Sequence, residues 1–276
     1  MPRLSKTYVL GSDIGTGSCK TVLLDETATV IASASKDYPS YYPHPDWVEQ
    51  NPEDWYEAFC VSTRAVINKT AINPKAIKAV CIVGVTHNPI LLGKKGDLLR
   101  PSIHFWDQRS HEQVKEIKGK WGDEVQKRAL NDVDVLWTWP QLLWVKQHEP
   151  EVWAKLATLL FPKDYVRHRL APSLLTDTVD PAGTLLYDAK SSSYLTDFVD
   201  DLDVAHSALP EPHLPTDTVA YVSARGAKET SLAEGTAVLT GTTDTAAEVV
   251  GAGAHEPGQA VVKLASVGRI MMVTEQ

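Results

Sequence analysis

Residues 8–25 read YVLGSDIGTGSCKTVLLD, and this stretch decides how the fold begins. The apolar run at 8–13 predicts a buried strand, and the apolar run at 19–25 predicts a second strand that returns beside it. Gly15 and Gly17 predict a tight turn between the two strands. The chain therefore opens with a β-hairpin that has a glycine-rich tip.

The tip of this hairpin is a candidate site for an anion. Gly15 and Gly17 can adopt positive φ and leave backbone N–H groups facing a concave space. Asp13 could hold Mg²⁺ there, and Lys20 could offset phosphate charge. Two common phosphate motifs are absent, because Cys19 replaces the glycine of a Walker A loop and Lys20 replaces the third glycine of a dinucleotide fingerprint. An ordinary glycine turn is the alternative interpretation.

The rest of the chain alternates between strand and helix patterns. Further strands are predicted at residues 30–38, 77–85 and 237–241, and helices at 51–68, 111–121, 141–147, 163–170 and 245–250. This alternation is typical of a layered α/β domain. Residues 260–264 and 270–274 predict a second hairpin, whereas 191–193 and 210–215 predict surface loops.

Composition and charge exclude several classes of partner. The chain has 276 residues and a formal net charge of −8, and no cluster of Lys and Arg stands out. Nucleic acid is not an expected partner, because binding its backbone requires a basic face. No apolar run reaches the ~18 residues that a membrane helix needs. The N-terminal residues do not predict a secretion signal, and the cysteines lack metal-binding spacing. These features predict a cytoplasmic protein with reduced thiols and no membrane partner.

Acidic residues at predicted strand ends and turns are candidates for catalysis. Asp244 follows the predicted strand at 237–241 and begins a helix, where the helix dipole favours its charge. A carboxylate held there could accept the proton of a hydroxyl that attacks phosphorus. The alternative is that Asp244 only caps the helix. Asp164 is predicted to be a helix-start residue, and Asp177 and Asp180 are predicted to form turns.

Two further segments carry side chains suited to a sugar. His87 follows the predicted strand at 77–85, and α/β sheets bind ligands outside the carboxyl ends of their strands. A neutral imidazole there could bond a sugar hydroxyl, although a structural role is equally open. Trp106, Asp107 and Arg109 combine an aromatic face with two charges, as sugar sites do. A surface ion pair beside a half-buried tryptophan is the alternative.

In this order and spacing, the motifs resemble those of the FGGY family of carbohydrate kinases, with its xylulokinase branch as the nearest. The resemblance extends from about residue 8 to residue 274. It rests on DIGTGS at residues 13–18, WDQRS at 106–110, LLWVKQHEP at 142–150, PKDY at 162–165, DPAGT at 180–184, GTTD at 241–244 and GAG at 251–253.

The resemblance implies a ribonuclease-H-like, actin-like ATPase fold with a mixed sheet flanked by helices. Residues 1–254 would form the N-terminal, sugar-binding domain, and residues 255–276 the first hairpin of a truncated C-terminal, ATP-binding domain. The implied cofactors are ATP and Mg²⁺, and the implied partner is a small sugar. A homodimer is also left open.

The resemblance also implies a role for individual residues. Asp244 would be the catalytic base, and Asp13 would lie beside Mg²⁺. The nucleotide phosphates would be bound by Gly15, Thr16, Gly17, Ser18, Lys20, Ser266 and Gly268. The sugar would be contacted by Thr86, His87, Trp106, Asp107, Arg109 and Thr245.

Three segments depart from the xylulokinase pattern. Val85-Thr86-His87-Asn88 stands where Gln-Met-His-Gly is typical, Thr245 replaces an asparagine, and Ala265-Ser266-Val267-Gly268 replaces Gly-Thr-Ser-Gly. The expected function is ATP-dependent phosphorylation of a ketose or polyol, with a xylulose-like sugar foremost and this chain forming part of the enzyme. The alternatives are a sugar-binding module without kinase activity and an ATPase that switches a protein partner.

Overall fold

The structure is a computed structural model that describes residues 6–264 and 268–275. Its strands are β1 (Tyr8–Ile14), β2 (Ser18–Asp25), β3 (Val30–Asp37), β4 (Glu49–Gln50), β5 (Ile77–Gly84), β6 (Ile90–Leu92), β7 (Ser102–Ile103), β8 (Thr158–Leu160), β9 (Leu175–Asp177), β10 (Tyr187–Asp188), β11 (Ser193–Tyr194), β12 (Glu211–His213), β13 (Thr218–Tyr221), β14 (Ala237–Leu239), β15 (Ala260–Lys263) and β16 (Arg269–Met272). Its α-helices are α1 (Pro52–Thr70), α2 (His111–Arg128), α3 (Thr138–His148), α4 (Pro150–Trp153), α5 (Pro162–Leu170), α6 (Thr196–Leu202), α7 (Ala224–Thr230) and α8 (Asp244–Gly251).

A mixed sheet of six strands, in the order β13-β14-β5-β1-β2-β3, forms the centre of the fold. Strands β1, β2 and β3 are an antiparallel meander, whereas β1 and β14 lie parallel to β5 on its two sides. Helices α1, α5 and α7 pack on one another, and α1 and α5 also pack on the sheet. The mixed sheet with flanking helices confirms the predicted α/β class.

The opening hairpin forms because its apolar residues alternate with the strand period. Tyr8 pairs with Asp25 at the open end, and Ile14 pairs with Cys19 beside the tip. Leu10, Ile14, Cys19 and Leu23 are buried on one face. A shift of one residue would turn this apolar set to the other face of the sheet, so the register is strongly specified.

Helix α1 covers the meander and starts where the sequence predicts. Asn51 caps it by accepting a hydrogen bond from the Glu53 N–H at 3.1 Å, and Pro52 occupies the first turn. The helix ends at Ala71, whose φ of 52° is left-handed. Its buried face, which includes Trp55 and Phe59, joins the core above the sheet.

A second core lies beside the sheet, between the later helices. It is formed by residues of α2, α3 and α6, including Trp139, Leu142 and Phe198. Helix α2 extends beyond the predicted end at residue 121 because Ile117 and Val125 continue its buried stripe. In the described part of the chain, no helix is long and apolar enough to cross a membrane.

Two predictions for the outer segments were wrong. Residues 210–215 were predicted as a loop, but β12 pairs there in parallel with β9. Ser193 was predicted in a loop, but it pairs with Asp188 between β10 and β11. Both pairs are very short, and their strand conformation comes from long-range pairing that local turn residues do not reveal.

The predicted second hairpin is present at the end of the described chain. Strands β15 and β16 pair antiparallel from Ala260 with Met272 to Lys263 with Arg269. They form a separate sheet of two strands. Val262 is 61% exposed and Ile270 is 77% exposed. The hairpin thus presents apolar side chains to solvent.

Substitution of Gly241 tests how closely the loop after β14 packs against β5. Its φ is +77°, and a Cβ built on it would lie 1.8 Å from the carbonyl oxygen of Ile82. We expect Gly241→Ala to lower the free energy of unfolding by about 2–5 kcal/mol, from backbone strain and overpacking together. Urea unfolding measures this loss.

Gly253→Ala is the matched control for this test. Gly253 has a φ of +81° but no heavy atom within 4 Å of the added Cβ. Only the backbone strain applies, so we expect a loss of about 1–2 kcal/mol. Equal losses in the two variants would show that the close approach of Gly241 to Ile82 is not important.

Candidate active site

Three parallel strands end at the same edge of the central sheet. Ile14 at the end of β1 pairs with Gly84 at the end of β5, and Gly84 forms a bridge with Thr243 beyond β14. Asp13 precedes Ile14 and Asp244 follows Thr243, so both lie next to these paired positions. His87 follows Gly84 by three residues. The structure brings these three predicted residues to one edge, which we call the strand-end edge.

The glycine-rich tip is held to the protein through its carbonyl groups. Gln50 donates its side-chain N–H to the Thr16 carbonyl at 2.7 Å, and the Tyr38 N–H donates to the Gly17 carbonyl at 3.1 Å. Within the described residues, no acceptor is bonded to the backbone N–H groups of Thr16 and Gly17. The tip therefore has two N–H groups available for an anion.

Gly15 and Gly17 do not use the positive φ that glycine permits. Neither is among the glycines with positive φ. The turn closes through a hydrogen bond from the Gly15 N–H to the Ser18 carbonyl at 3.0 Å. A Cβ at Gly15 would lie 3.3 Å from that carbonyl oxygen, so glycine is favoured there by close approach. At Gly17 a Cβ would meet no atom within 4 Å.

Asp13 is a buried carboxylate of the strand-end edge, and its charged form is disfavoured there. Its Oδ1 is buried and has no hydrogen-bond partner. Burial raises the pKa of Asp13 to about 6, and the charges of Asp244 and Glu248 add to this rise. The positive charges of Lys263 and of Lys20, the cross-strand neighbour of Asp13, offset this rise in pKa only in part. A cation bound beside Asp13 would relieve this repulsion.

Asp244 starts helix α8, but it does not cap that helix. Thr243 is the cap, because its hydroxyl accepts a hydrogen bond from the Ala246 N–H at 3.2 Å. Asp244 Oδ1 accepts from the Thr245 N–H at 2.6 Å. No donor among the described residues is bonded to Asp244 Oδ2. One oxygen is therefore positioned by the helix, and the other is available to a substrate.

The predicted sugar contact Thr245 lies between Asp244 and the second hairpin. Its hydroxyl donates to Asp244 Oδ1 at 3.2 Å and accepts from the Arg269 guanidinium at 3.0 Å. The Arg269 charge also helps to lower the pKa of His87. Arg269 of β16 therefore reaches the strand-end edge, which no sequence pattern indicated.

His87 has a strained backbone and a neutral ring. Its φ is +46°, which is unusual for a residue with a side chain. Burial lowers the pKa of its imidazole to about 3. Nδ1 lies 3.2 Å from the hydroxyl of Thr86, which is therefore beside the ring as well as next in sequence. The buried Nε2 has no partner, so it can serve a sugar hydroxyl.

Aromatic rings surround His87, and sequence reasoning missed most of them. The ring of Trp137 lies 4.9 Å from that of His87, and the ring of Phe105 lies 6.5 Å away. The predicted Trp106 follows at 5.2 Å from Phe105 and is 45% exposed. Asn88 also has a buried side chain whose oxygen and nitrogen lack partners. Phe105 and Asn88 are sequence neighbours of Trp106 and His87, whereas no sequence pattern placed Trp137 beside His87.

Asp107 and Arg109 form a buried ion pair, so the alternative of a surface pair was wrong. The Arg109 guanidinium donates to Asp107 at 2.7 and 2.9 Å and to Glu49 at 2.8 Å. It also stacks 3.8 Å from the centre of the Trp47 ring. These contacts occupy most of the donors of Arg109. A direct contact of Asp107 or Arg109 with a sugar stays a prediction.

The second predicted phosphate loop is described only at its end. Ser266 lies outside the described residues, as do Ala265 and Val267. Gly268 is exposed between β15 and β16, and a Cβ on it would meet no atom within 4 Å. The roles of Ser266 and Gly268 in phosphate binding stay predictions.

Beneath the strand-end edge lies a group of charges that sequence reasoning missed. This buried ion cluster consists of Lys163, Asp164, Arg167, Asp177 and Asp180, whose side chains are all 0% exposed. The Lys163 ammonium lies 2.8 Å from Asp164, 2.9 Å from Asp177 and 3.2 Å from Asp180. Asp164, Asp177 and Asp180 therefore do more than start a helix or form a turn, because each also pairs with Lys163.

The cluster contains three carboxyl groups and two cations, so it has one acidic group more than its cations can balance. Burial raises the pKa of Asp180 to about 7, against the opposing charge of Lys163. The three carboxylates raise the pKa of Lys163, which keeps its ammonium charged. The sequence PKDYVRHRL of α5 is rich in charged residues, so the burial of Lys163, Asp164 and Arg167 could be learned only from the structure.

The donor set can be compared with the needs of Mg²⁺. In the described part of the chain, no group of three or more His, Cys, Asp or Glu side chains could hold a metal alone. Mg²⁺ in phosphoryl-transfer sites is commonly bound by one or two carboxylates together with substrate phosphates. Asp13, with its buried and unpartnered oxygen, fits that kind of site.

Comparison with known proteins agrees with this geometry. A sequence model described as the FGGY family of carbohydrate kinases, N-terminal domain, matches residues 8–251. The chain belongs to this family. It is 32% identical over 269 residues to the xylulose kinase of Bacillus subtilis (strain 168), with 98% of this chain and 54% of that protein covered. It is 29% identical over 268 residues to the xylulose kinase of Escherichia coli (strain K12). That match covers 96% of this chain and 54% of that protein.

Solved structures of FGGY kinases have the same fold. The crystal structure of xylulose kinase from Rhodospirillum rubrum matches with a TM-score of 0.91 and 28% identity, covering 95% of this chain and 54% of that one. The predicted family and its actin-like ATPase fold are confirmed. The chain spans about half the length of the curated relatives it matches.

The buried ion cluster predicts a large effect of removing Lys163. We expect Lys163→Met to lower the free energy of unfolding by about 3–5 kcal/mol, because three carboxylates would remain buried with a single cation. Lys146→Met is the control, since Lys146 is 29% exposed in its pair with Asp203 and should cost less than about 1 kcal/mol. Urea unfolding of both variants measures the difference. Similar losses would contradict the account.

The raised pKa of Asp13 predicts a stabilising substitution. The folded group titrates at about 6 and the ordinary value is 3.8, so ionised Asp13 opposes folding. This cost is absent below the unfolded pKa, grows as the pH rises through both values, and is complete above 6. We expect Asp13→Asn to raise the free energy of unfolding by about 1–3 kcal/mol at pH 7.5.

The gain should shrink when the same urea titration is run at pH 4.5. Asp25→Asn, at the open end of the same hairpin, is the control. Hydrogen bonds from Thr27 lower the pKa of Asp25, so its replacement should change stability with the opposite sign. A destabilising Asp13→Asn at pH 7.5 would show that this carboxylate is not strained.

Proposed function

We propose that this chain is the sugar-binding part of an ATP-dependent kinase that phosphorylates a hydroxyl of a ketose or polyol, with a xylulose-like sugar as the acceptor. The observation that carries this proposal is the placement of Asp244. Its carboxylate stands at the start of α8 while Thr243 caps that helix, so its function is not local. Family membership supports the same reaction, as do the xylulose kinase relatives.

In the proposed reaction, Asp244 is the general base. The sugar hydroxyl lies against its available oxygen and gives up a proton as the hydroxyl oxygen attacks the γ-phosphorus of ATP. The proton moves to the carboxylate, and ADP leaves. The Thr245 N–H bond at 2.6 Å fixes the carboxylate, which limits the reorganisation needed at this step.

The nucleotide phosphates are proposed to lie at the glycine-rich tip. The N–H groups of Thr16 and Gly17 point to no acceptor within the described residues, and such amides bind anions. Gly15, Ser18 and Lys20 complete this loop, and Asp13 would hold Mg²⁺. The metal would neutralise developing phosphate charge when bound.

The sugar is proposed to lie between His87 and Asp244. A neutral imidazole offers one acceptor or donor nitrogen, and Trp106 offers an exposed aromatic face. Thr86 and Thr245 would add hydroxyl contacts. Asn88, whose amide lacks partners, stands where xylulokinases typically have glycine. This substitution favours a narrower or differently bonded pocket than that of a typical xylulokinase.

Residues 255–276 are proposed to open a second, ATP-binding domain. The exposed apolar residues Val262 and Ile270 support this, because a hairpin with apolar side chains in solvent requires a further layer. The coverage of about half of each relative supports it as well.

The test is ADP release with Mg²⁺-ATP across a panel of ketoses and polyols. It is measured for this chain and for the full gene product where that is longer. We expect sugar-dependent release by the complete kinase, and Asp244→Asn should lower kcat by about a hundredfold or more, since the proton acceptor is lost. Asp203→Asn, an exposed aspartate distant from the strand-end edge, is the control and should leave kcat unchanged.

The outcomes separate the competing functions. Turnover that persists in Asp244→Asn would show that Asp244 is not the base. Sugar binding by tryptophan fluorescence, without ADP release from any form, would favour a binding module. ATP hydrolysis that no sugar increases would favour an ATPase that acts on a protein partner.

A further inference from the structure

The buried ion cluster contacts both sides of the strand-end edge. Asp180 reaches the segment that carries His87, and Asp177 reaches the segment that carries Asp244. These two segments follow different strands, β5 and β14, and are far apart in sequence. Lys163 lies between the two aspartates, at 2.9 Å from one and 3.2 Å from the other.

The contact with the His87 segment fixes a strained backbone. Asp180 Oδ1 accepts the His87 N–H at 2.8 Å, and Thr138 donates its hydroxyl to the His87 carbonyl at 2.6 Å. A Cβ at Gly183 would lie 2.7 Å from the His87 Cβ, so the turn after Asp180 packs directly on this residue. A positive φ at a non-glycine residue persists only when its surroundings hold it.

The contact with the Asp244 segment is made by one hydroxyl and one guanidinium. Thr242 donates its hydroxyl to Asp177 Oδ2 at 2.8 Å. Arg167 donates to the carbonyl of Thr240, while it pairs with Asp164 at 2.8 Å. The segment that leads from β14 into α8 is therefore tied to the cluster two residues before the proposed base.

We propose that Asp177 and Asp180 are positioning residues, which set the sugar-binding His87 and the base Asp244 in register through Lys163. This inference rests on the proposed function. A buried group of charges is weak as a source of stability, because desolvation offsets much of its attraction. Its value here is geometric, since a misplacement of about 1 Å between reacting groups can lower a rate by about a hundredfold.

Thr242→Val tests the proposal, because it removes the bond to Asp177 without changing a charge or the size of the side chain. In the complete kinase we expect kcat to fall about tenfold or more, with the KM for sugar changed by less than about twofold. Thr242→Ser keeps the hydroxyl and should restore kcat. Thr236→Val is the matched control, because its hydroxyl also makes a 2.8 Å bond, to the Ala233 carbonyl, away from the cluster.

A second measurement detects the coupling between the His87 and Asp244 segments and does not require enzymatic turnover. The backbone N–H signal of His87, observed by NMR in this chain, should shift in Thr242→Val and stay unchanged in Thr236→Val. Asp180→Asn, which keeps an oxygen for His87, should in turn shift the N–H signal of Thr245. These signals report the link between the two segments even if the wild-type protein phosphorylates no sugar, in which case the proposed function fails by itself.

Each outcome decides the proposal. A loss of kcat together with the shift of His87 supports it. A loss of kcat without that shift would mean that Thr242 acts only on its own segment, which overturns the coupling. A shift without any change in kcat would overturn the positioning role. Without turnover in the wild type, an unchanged His87 signal overturns the coupling, and a shifted signal supports it.

Discussion

The ammonium of Lys163 lies among Asp164, Asp177 and Asp180, and the geometry of the strand-end edge depends on this contact. Two of these carboxylates extend to different loops, one to the N–H of His87 and one to the hydroxyl of Thr242. Transfer of such charges from water into a protein interior is unfavourable unless they are paired and hydrogen-bonded. The fold therefore maintains a set of contacts that stability alone would not favour, and those contacts lead to the proposed site.

The two halves of this site differ in how they use charge. Around His87, burial and the nearby charge of Arg269 lower the pKa of the imidazole, so the ring is neutral, and the ring of Trp137 packs beside it. Around Asp13, burial and the negative charges of Asp244 and Glu248 together disfavour the ionised carboxylate. A neutral, partly apolar surface suits a sugar, whereas a strained carboxylate suits a cation with phosphates. The same sheet edge thus offers two surfaces of different chemistry.

Much of the central fold could be predicted from the sequence. The opening hairpin, the start of α1 at Asn51 and the strand before Asp244 follow from local patterns of apolar, capping and turn residues. The rest depends on long-range contacts. Strand β12 forms because β9 offers it a partner, and Asp180 joins a cluster with a helix that precedes it. The glycine turn at the tip was predicted correctly. The physical reason for glycine at Gly15 is close packing and not positive φ, because backbone angles cannot be read from a sequence.

The parallel arrangement of β1, β5 and β14 also has a consequence for folding. Asp13 and Asp244 come from opposite ends of the described chain, and they meet only after β14 has paired with β5 beside β1. Closing such long loops is slow, because the entropy of the intervening chain is lost before the contact is gained. A growing polypeptide can complete its first hairpin early, but Asp13 and Asp244 can meet only after β14 has been synthesised. The meeting of these two carboxylates therefore reports that β14 has joined the central sheet.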